Sequence, residues 1–335
     1  MFAITSAFRV VLGCAIIAAV AMMQTACSRQ DKSSKRNIVL YVTLTTGNPF
    51  YEEMIAGLKA GIGNHRGWEL QIQTGATADD ASGQSQIMDS YLKRSQSSND
   101  ANLVGVILVP ANSSTALTSV IKSYNRAGVP VINVDIPIDE YALTATGAKI
   151  DAFIGSNNIS GSKKAGIEMG SQLKRNGTVL LLMGVPGQAS TRDRKSGFID
   201  GLMEVNRQNG LDVTVIEWTA NWNRSEALTA VESVLSSRKN VEGIFAENDL
   251  MALGAAGSKT LLNLKPENKP VIIGYDAIPE ARDAVLNKGT LHATVSQNPF
   301  EIGTEAISVL SKIKSGEPIQ KRTEIETSLI SKKPN

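Results

Sequence analysis

The sequence predicts an α/β fold built on parallel β-sheets, and three observations carry the prediction. Short β-branched apolar runs alternate with stretches of helical spacing along the whole chain. Some runs are almost continuously apolar, as strands buried on both faces must be. About ten such runs occur, too many for one ordinary sheet and suited to two sheets of five or six strands.

Taken in order, residues 38–44 begin with Ile38-Val39-Leu40-Tyr41-Val42, a buried strand. Phe50, Met54, Leu58 and Ile62 then recur at helical spacing, with Asn48 as N-cap and Pro49 at the first helical position. Residues 68–73 return to strand, and residues 79–94 to a helix with Ile87, Tyr91 and Leu92 on its apolar face. Residues 103–109, 113–126 and 129–134 repeat the cycle. Residues 139–149 are polar, rich in Thr and Ala, and without clear period, so a first crossing between sheets is expected near Gly155. Further strands are expected at 178–184, 211–217, 241–246, 270–275 and 291–295. Helices are expected at 160–174, 192–206, 224–237, 250–262, 279–286 and 301–313. No Pro- or Gly-rich linker divides the chain, so two lobes would share it through several short crossings.

A polar or aromatic residue follows the carboxyl end of seven of these strands. They are Asn48 with Phe50 and Tyr51, then Asp135, Arg192 with Arg194, Trp222, Asn248 with Asp249, Asp276, and Gln297. In open parallel sheets, ligands bind outside the carboxyl ends of the strands, where loop backbone and helix N-termini converge. Amide, carboxylate, guanidinium and ring groups gathered there read as a pocket for a small polyhydroxylated molecule. No catalytic group stands out.

Residues 1–26 read as an export signal: Arg9 is the only charge, and the apolar run 10–23 is too short to span a bilayer. Gln24-Thr25-Ala26-Cys27 resembles a bacterial lipobox, although Gln24 stands where Leu is usual. Of two cysteines, Cys14 lies inside the signal and Cys27 directly after it, so lipidation of Cys27 explains the usage better than a disulfide. Residues 27–36 are then a polar tether. Removing residues 1–26 takes away Arg9 alone and lowers the net charge from +2 to +1, which gives no electrostatic case for nucleic acid.

The chain lacks the Gly-rich phosphate and dinucleotide loops and the Gly-x-Ser-x-Gly elbow. His65 and His292 are isolated and read as structural. No metal or cofactor is called for. Glu247, Asp249 and Asp276 form an acidic strand edge, which leaves a metal-dependent enzyme as the remote alternative.

Six segments resemble the sugar-binding proteins of ABC importers, in particular the ribose-binding-like branch of the type I periplasmic binding proteins. They are Gly47-Asn48-Pro49-Phe50-Tyr51, Ala127-Gly128-Val129-Pro130-Val131-Ile132, Arg192-Asp193-Arg194-Lys195-Ser196-Gly197-Phe198, Phe245-Ala246-Glu247-Asn248-Asp249-Leu250-Met251-Ala252-Leu253-Gly254, Ile273-Gly274-Tyr275-Asp276 and Ala293-Thr294-Val295-Ser296-Gln297. The same fold serves as the effector domain of LacI-type repressors, but an export signal stands here where those carry a DNA-binding helix-turn-helix.

The resemblance implies two Rossmann-like lobes joined by a three-stranded hinge. The N-terminal lobe would hold residues 37–155 plus 298–325, and the C-terminal lobe 156–297 plus 326–335. It implies a monomeric, lipid-anchored, extracytoplasmic binding protein that closes on one monosaccharide and delivers it to an ABC permease and its ATPase. The resemblance implies no enzymatic activity. The alternative is a ligand-sensing receptor for a membrane kinase or chemoreceptor.

Carried over residue by residue, Phe50, Tyr51 and Trp222 would stack on the sugar. Asn48, Asp135, Arg192, Asn248, Asp276 and Gln297 would bond its hydroxyls. Arg194 would either join them or brace the neighbouring loops. One departure stands out: Ile136 occupies the position after Asp135 where the ribose-type pattern has arginine, which argues against ribose.

Overall fold

The computed structural model describes residues 35–332 except 78, 98–100, 112–113 and 238–239. The expected export signal and Cys27 lie outside these residues. Two six-stranded sheets form among the described residues. The first comprises β1 (Arg36–Thr43), β2 (Trp68–Thr74), β3 (Ala101–Leu108), β4 (Val131–Val134), β5 (Ala152–Ser156) and, from late in the chain, β11 (Arg322–Ile325). Its order is β11-β5-β4-β3-β1-β2, parallel throughout. The second comprises β6 (Gly177–Met183), β7 (Val213–Thr219), β8 (Val241–Ala246), β9 (Val271–Asp276), β10 (Ala293–Ser296) and β12 (Ser328–Ser331). Its order is β12-β10-β9-β8-β6-β7, with only β12 antiparallel to its neighbour.

Strand alternation explains why both faces of each sheet are covered. In β1, Val39 and Tyr41 face one core with Met54 and Leu58 of α1 (Pro49–Ile62) and Ile307 and Leu310 of α11 (Pro299–Ser315). Leu40 and Val42 face the opposite core, with Met88 of α2 (Ala81–Ser97) and Leu117, Ile121 and Tyr124 of α3 (Ser114–Arg126). β6 does the same in the second sheet. Val179 and Leu181 meet Phe198 and Leu202 of α6 (Ala189–Asn209), and Leu180 and Leu182 meet Val231 of α7 (Arg224–Ser237) and Met251 of α8 (Asp249–Ala256). These side chains have almost no exposed surface, and fully burying one contributes about 1.5–3 kcal/mol.

Glycines set two of the helix crossings. A Cβ on Gly57 of α1 would sit 2.1 Å from the Phe300 carbonyl oxygen of α11. One on Gly201 of α6 would sit 2.2 Å from the Lys163 oxygen of α5 (Asn158–Gln172). Backbone therefore touches backbone, and any side chain there must push the helices apart.

The chain passes between sheets three times: after β5, after β10 and between β11 and β12. Side chains tie the crossings together. Ser156 Oγ donates to the Gln297 carbonyl at 2.9 Å, Asn157 Nδ2 to Glu324 Oε2 at 2.9 Å, and Asn298 Nδ2 to the Glu326 carbonyl at 2.8 Å.

Several boundaries differ from the sequence reading. Residues 139–149, which showed no period, contain α4 (Glu140–Thr146), a helix too short to display one; Asp139 caps it through Ala142 N at 2.8 Å. The expected helix 250–262 is α8 followed by α9 (Lys259–Leu262), broken at Ser258, whose hydroxyl caps the second piece. The helix expected at 279–286 is α10 (Pro279–Asp283) running into a π turn over Ala284–Lys288. β7 and β10 each start two residues later than expected.

Candidate ligand-binding cleft

The carboxyl ends of both sheets face a cleft of about 250 Å³ between them. Asn48, Phe50, Tyr51 and Asp135 line it from the first sheet; Trp222, Asn248 and Asp276 line it from the second, with Gln297 at a crossing. These are the residues expected from strand ends, with one correction. Arg192 is not in the cleft. Its side chain is 71% exposed, its ion pair is with adjacent Asp193 at 3.3 Å, and it borders a separate outer cavity of about 700 Å³ along α6 and β7. Arg194, two residues on and so on the opposite face of α6, lines the cleft instead.

Arg194 is 5% exposed and held on every side. Nε donates to Asn158 Oδ1 at 3.0 Å, and Nη1 to the Glu247 carbonyl at 2.5 Å and Asp276 Oδ1 at 3.4 Å. The guanidinium lies 4.0 Å from the Tyr275 ring centroid and 5.5 Å from that of Trp222. Burial opposes its charge, but Asp276, Tyr275, Asp135 and Glu247 more than offset that and raise its pKa. Arg194 is a fixed cation.

The carboxyls it faces are held unusually basic. Burial pushes Asp276 up to about 7, against the pull of Arg194 and of Gln297, whose Nε2 donates to Oδ1 at 2.5 Å. Burial also raises Asp135, partly offset by Arg194 and by the Tyr51 hydroxyl, which donates to Oδ2 at 3.2 Å. Buried Glu247 is pushed up to about 8, with Oε2 accepting from Gly184 N at 2.8 Å.

Backbone strain concentrates here. Among the described residues, positive φ outside glycine occurs at Asp135 (64°), Asn221 (48°), Trp222 (61°), Asp276 (109°), Ala277 (54°) and Asn298 (53°), all at or beside the cleft. Buried Asp249 holds the loop after β9 in this conformation. Its Oδ2 accepts from Ile278 N at 2.9 Å and its Oδ1 from Thr294 Oγ1 at 2.7 Å, and Thr294 Oγ1 in turn accepts from Ala277 N at 3.2 Å. Asp249 therefore braces the loop and does not line the cleft.

Helix caps double as cleft groups. Asn48 Oδ1 caps α1 through Phe50 N at 3.0 Å, and Asn248 Oδ1 caps α8 through Met251 N at 2.9 Å. Gln188 occupies the N-cap of α6 without capping it, because its Oε1 accepts from Trp222 Nε1 at 2.7 Å. The Trp222 ring is pressed on Gly184, where a Cβ would fall 2.0 Å from Cζ2. Gln188, Asn221, Leu44 and Val185 were not picked out from sequence; no residue-type signal separates them from ordinary loop positions.

His65 stacks on Trp68 at 4.5 Å and His292 meets Glu168 at 2.6 Å, both away from the cleft. Among the described residues no cluster of His, Cys, Asp and Glu could hold a metal ion, and no helix is long and apolar enough to cross a membrane.

Residues 38–318 match the periplasmic binding protein domain. The chain is 27% identical over 310 residues to the ribose import binding protein of Bacillus subtilis (strain 168), covering 89% of this chain and 91% of that protein. It is 28% identical over 289 residues to the D-allose-binding periplasmic protein of Escherichia coli (strain K12), covering 85% and 88%. An ABC transporter periplasmic solute binding protein from Actinobacillus succinogenes 130z, solved with bound D-allose, shares the fold with a TM-score of 0.79 at 24% identity, covering 88% of this chain and 98% of that one.

Proposed function

The chain belongs to the periplasmic binding protein domain family, and from that premise we propose that it captures one monosaccharide outside the cytoplasm and delivers it to an ABC permease. The ligand leaves unchanged: the ribose and D-allose relatives are binding proteins, and the protein is not an enzyme.

The observation that carries the sugar reading is a set of rigid acceptors short of donors. Asp276 uses Oδ1 for both of its partners and Asp135 uses Oδ2, so each carboxyl keeps one oxygen without a hydrogen bond among the described residues. Gln297 Oε1 is buried with no partner among the described residues. An unsatisfied buried acceptor costs about 1–3 kcal/mol, which ligand hydroxyls recover when they donate to it. Phe50 and Trp222 add flat apolar surfaces for the C–H faces of a sugar ring.

Closure is built around the three crossings, with residues 37–155 plus 298–325 moving against 156–297 plus 326–335. Arg282 of α10 reaches Glu53 of α1 at 3.5 Å across the cleft, an ion pair available only while the lobes are together. The ligand touches both lobes and so favours the closed arrangement. Residues 1–26 serve as the export signal, and Cys27 carries the lipid that tethers a monomer to the membrane.

A thermal-shift screen of the purified protein against pentoses, hexoses, inositols and sugar acids tests this reading. A ligand at 100 times its Kd adds about 2.7 kcal/mol of stability. A raised Tm with one sugar supports it; a flat response across the panel removes the monosaccharide.

A further inference from the structure

The two walls of the cleft differ in chemistry. The second-sheet side offers Arg194, Asn248, Asp276 and Gln297. On the first-sheet side, Asp135 stands beside three apolar side chains: Leu44, Phe50 and Ile136. Of the other polar groups on that side, Asn48 Oδ1 caps α1, the Tyr51 hydroxyl is tied to Asp135 and Thr45 Oγ1 donates to the Thr46 carbonyl, which leaves exposed Asp79 at the rim.

This apolar shelf is fixed by two buried amides. Asn133, fully buried, donates from Nδ2 to the Ile136 carbonyl at 2.8 Å and accepts at Oδ1 from Ile138 N at 2.9 Å. Ile136 N also closes a turn on the Val134 carbonyl at 2.8 Å. Gln84, 1% exposed, donates to the Thr43 carbonyl just before Leu44 at 3.2 Å and to the Val109 carbonyl at 2.9 Å, and accepts from Ala111 N at 2.8 Å. These bonds fix the backbone at both strand ends. Both Leu44 and Ile136 also pack on the core beneath. Ligand facing Leu44 and Ile136 meets side chains that carry neither a donor nor an acceptor.

We infer that the cargo is a deoxy sugar of hexose size, in which a methyl group replaces a hydroxymethyl and faces Leu44 and Ile136. The inference rests on the monosaccharide reading above and narrows it. A hydroxymethyl placed on the shelf would lose water without gaining a partner, whereas a methyl gains apolar contact and leaves nothing unpaired. The vicinal hydroxyls of the same ring then point to the second-sheet wall and to Asp135, where the unpaired acceptors are.

Calorimetry on matched pairs decides the matter: galactose with fucose, mannose with rhamnose and glucose with its 6-deoxy analogue, in both enantiomeric series. In the pair that binds best, the 6-deoxy sugar should be at least tenfold tighter, equivalent to about 1.4 kcal/mol. Ile136→Asn, which supplies a donor and an acceptor on the shelf, should shrink or reverse that preference, whereas Ile136→Val should keep it. A parent hexose that binds as tightly as its deoxy partner, or a pentose tighter than both, overturns the inference but leaves a sugar-binding protein. Absence of binding by every sugar overturns the monosaccharide reading with it.

Discussion

Replacing Asp276 with asparagine should stabilise the free protein at pH 8 while weakening its hold on the ligand. The magnitude follows from the carboxyl's surroundings. Burial raises its pKa from 3.8 to about 7, and 1.36 kcal/mol per pH unit makes ionisation in the fold cost about 4 kcal/mol. This is an upper bound, because 13% of the side chain remains exposed and water screens part of the cost. Below pH 3.8 the group is protonated in folded and unfolded chains alike, so Asp276→Asn changes little. Between 3.8 and about 7 the unfolded chain ionises while the folded one keeps its proton, and wild-type stability falls as pH rises. Above about 7 the whole penalty is present. Asparagine removes it, keeps an oxygen for Arg194 and Gln297, and suits the φ of 109° at least as well. Melting curves from pH 4 to pH 8 should therefore diverge, with the variant up to roughly 8 °C above wild type at the alkaline end. Calorimetry on the same variant should show at least about tenfold weaker binding, from loss of a charge-assisted hydrogen bond. A Tm difference that stays flat with pH, or a variant that melts below wild type at pH 8, would refute the reasoning.

Ligand affinity should rise with pH, because hydroxyls donate best to ionised Asp276. With a pKa of about 7, roughly one molecule in ten is competent at pH 6, so Kd there should be about tenfold weaker than at pH 8; binding below pH 7 should release a proton, seen as buffer-dependent heats. Trp222 lines the cleft, so saturating ligand should change intrinsic fluorescence in wild type and not in Trp222→Phe, although Trp68 and Trp218 remain. Arg282→Ala should weaken binding by less than about fivefold and enlarge the free protein in small-angle scattering, as expected for a half-exposed ion pair across the cleft. Arg194→Met should cost about 3–5 kcal/mol of stability by leaving Asp276 without its cation and the Glu247 carbonyl without its donor, whereas Arg192→Met should be neutral in both stability and binding.

Strand ends are readable because β-branched runs stop abruptly at polar residues, and Asn48, Asp135, Asn248, Asp276 and Gln297, all found that way, line one cleft. The rotation of α6 was harder. Arg192 and Arg194 look equivalent in a list of residue types, and only packing decides between them. A signal was nevertheless present: Arg194, Gly197 and Gly201 share one helix face, and the two glycines mark the face pressed on α5. Gln188 was not legible, since it leaves its helix uncapped in order to hold Trp222, a choice made by a residue far away in sequence. The short α4 and the π turn at Ala284–Lys288 escaped for a different reason, because one or two turns of helix do not establish a period.

The late return of the chain to its first sheet has a consequence in time. Ile302, Ala306, Ile307, Leu310 and Ile325 belong to the same buried cluster as Val39 and Met54. During synthesis the first half of the protein emerges without those partners, so its apolar face stays open until residues 302–325 have been made. Contacts of such long sequence separation form slowly. A polypeptide that must thread through a membrane before it folds gains from that delay, which keeps it loose until its last helix has been made.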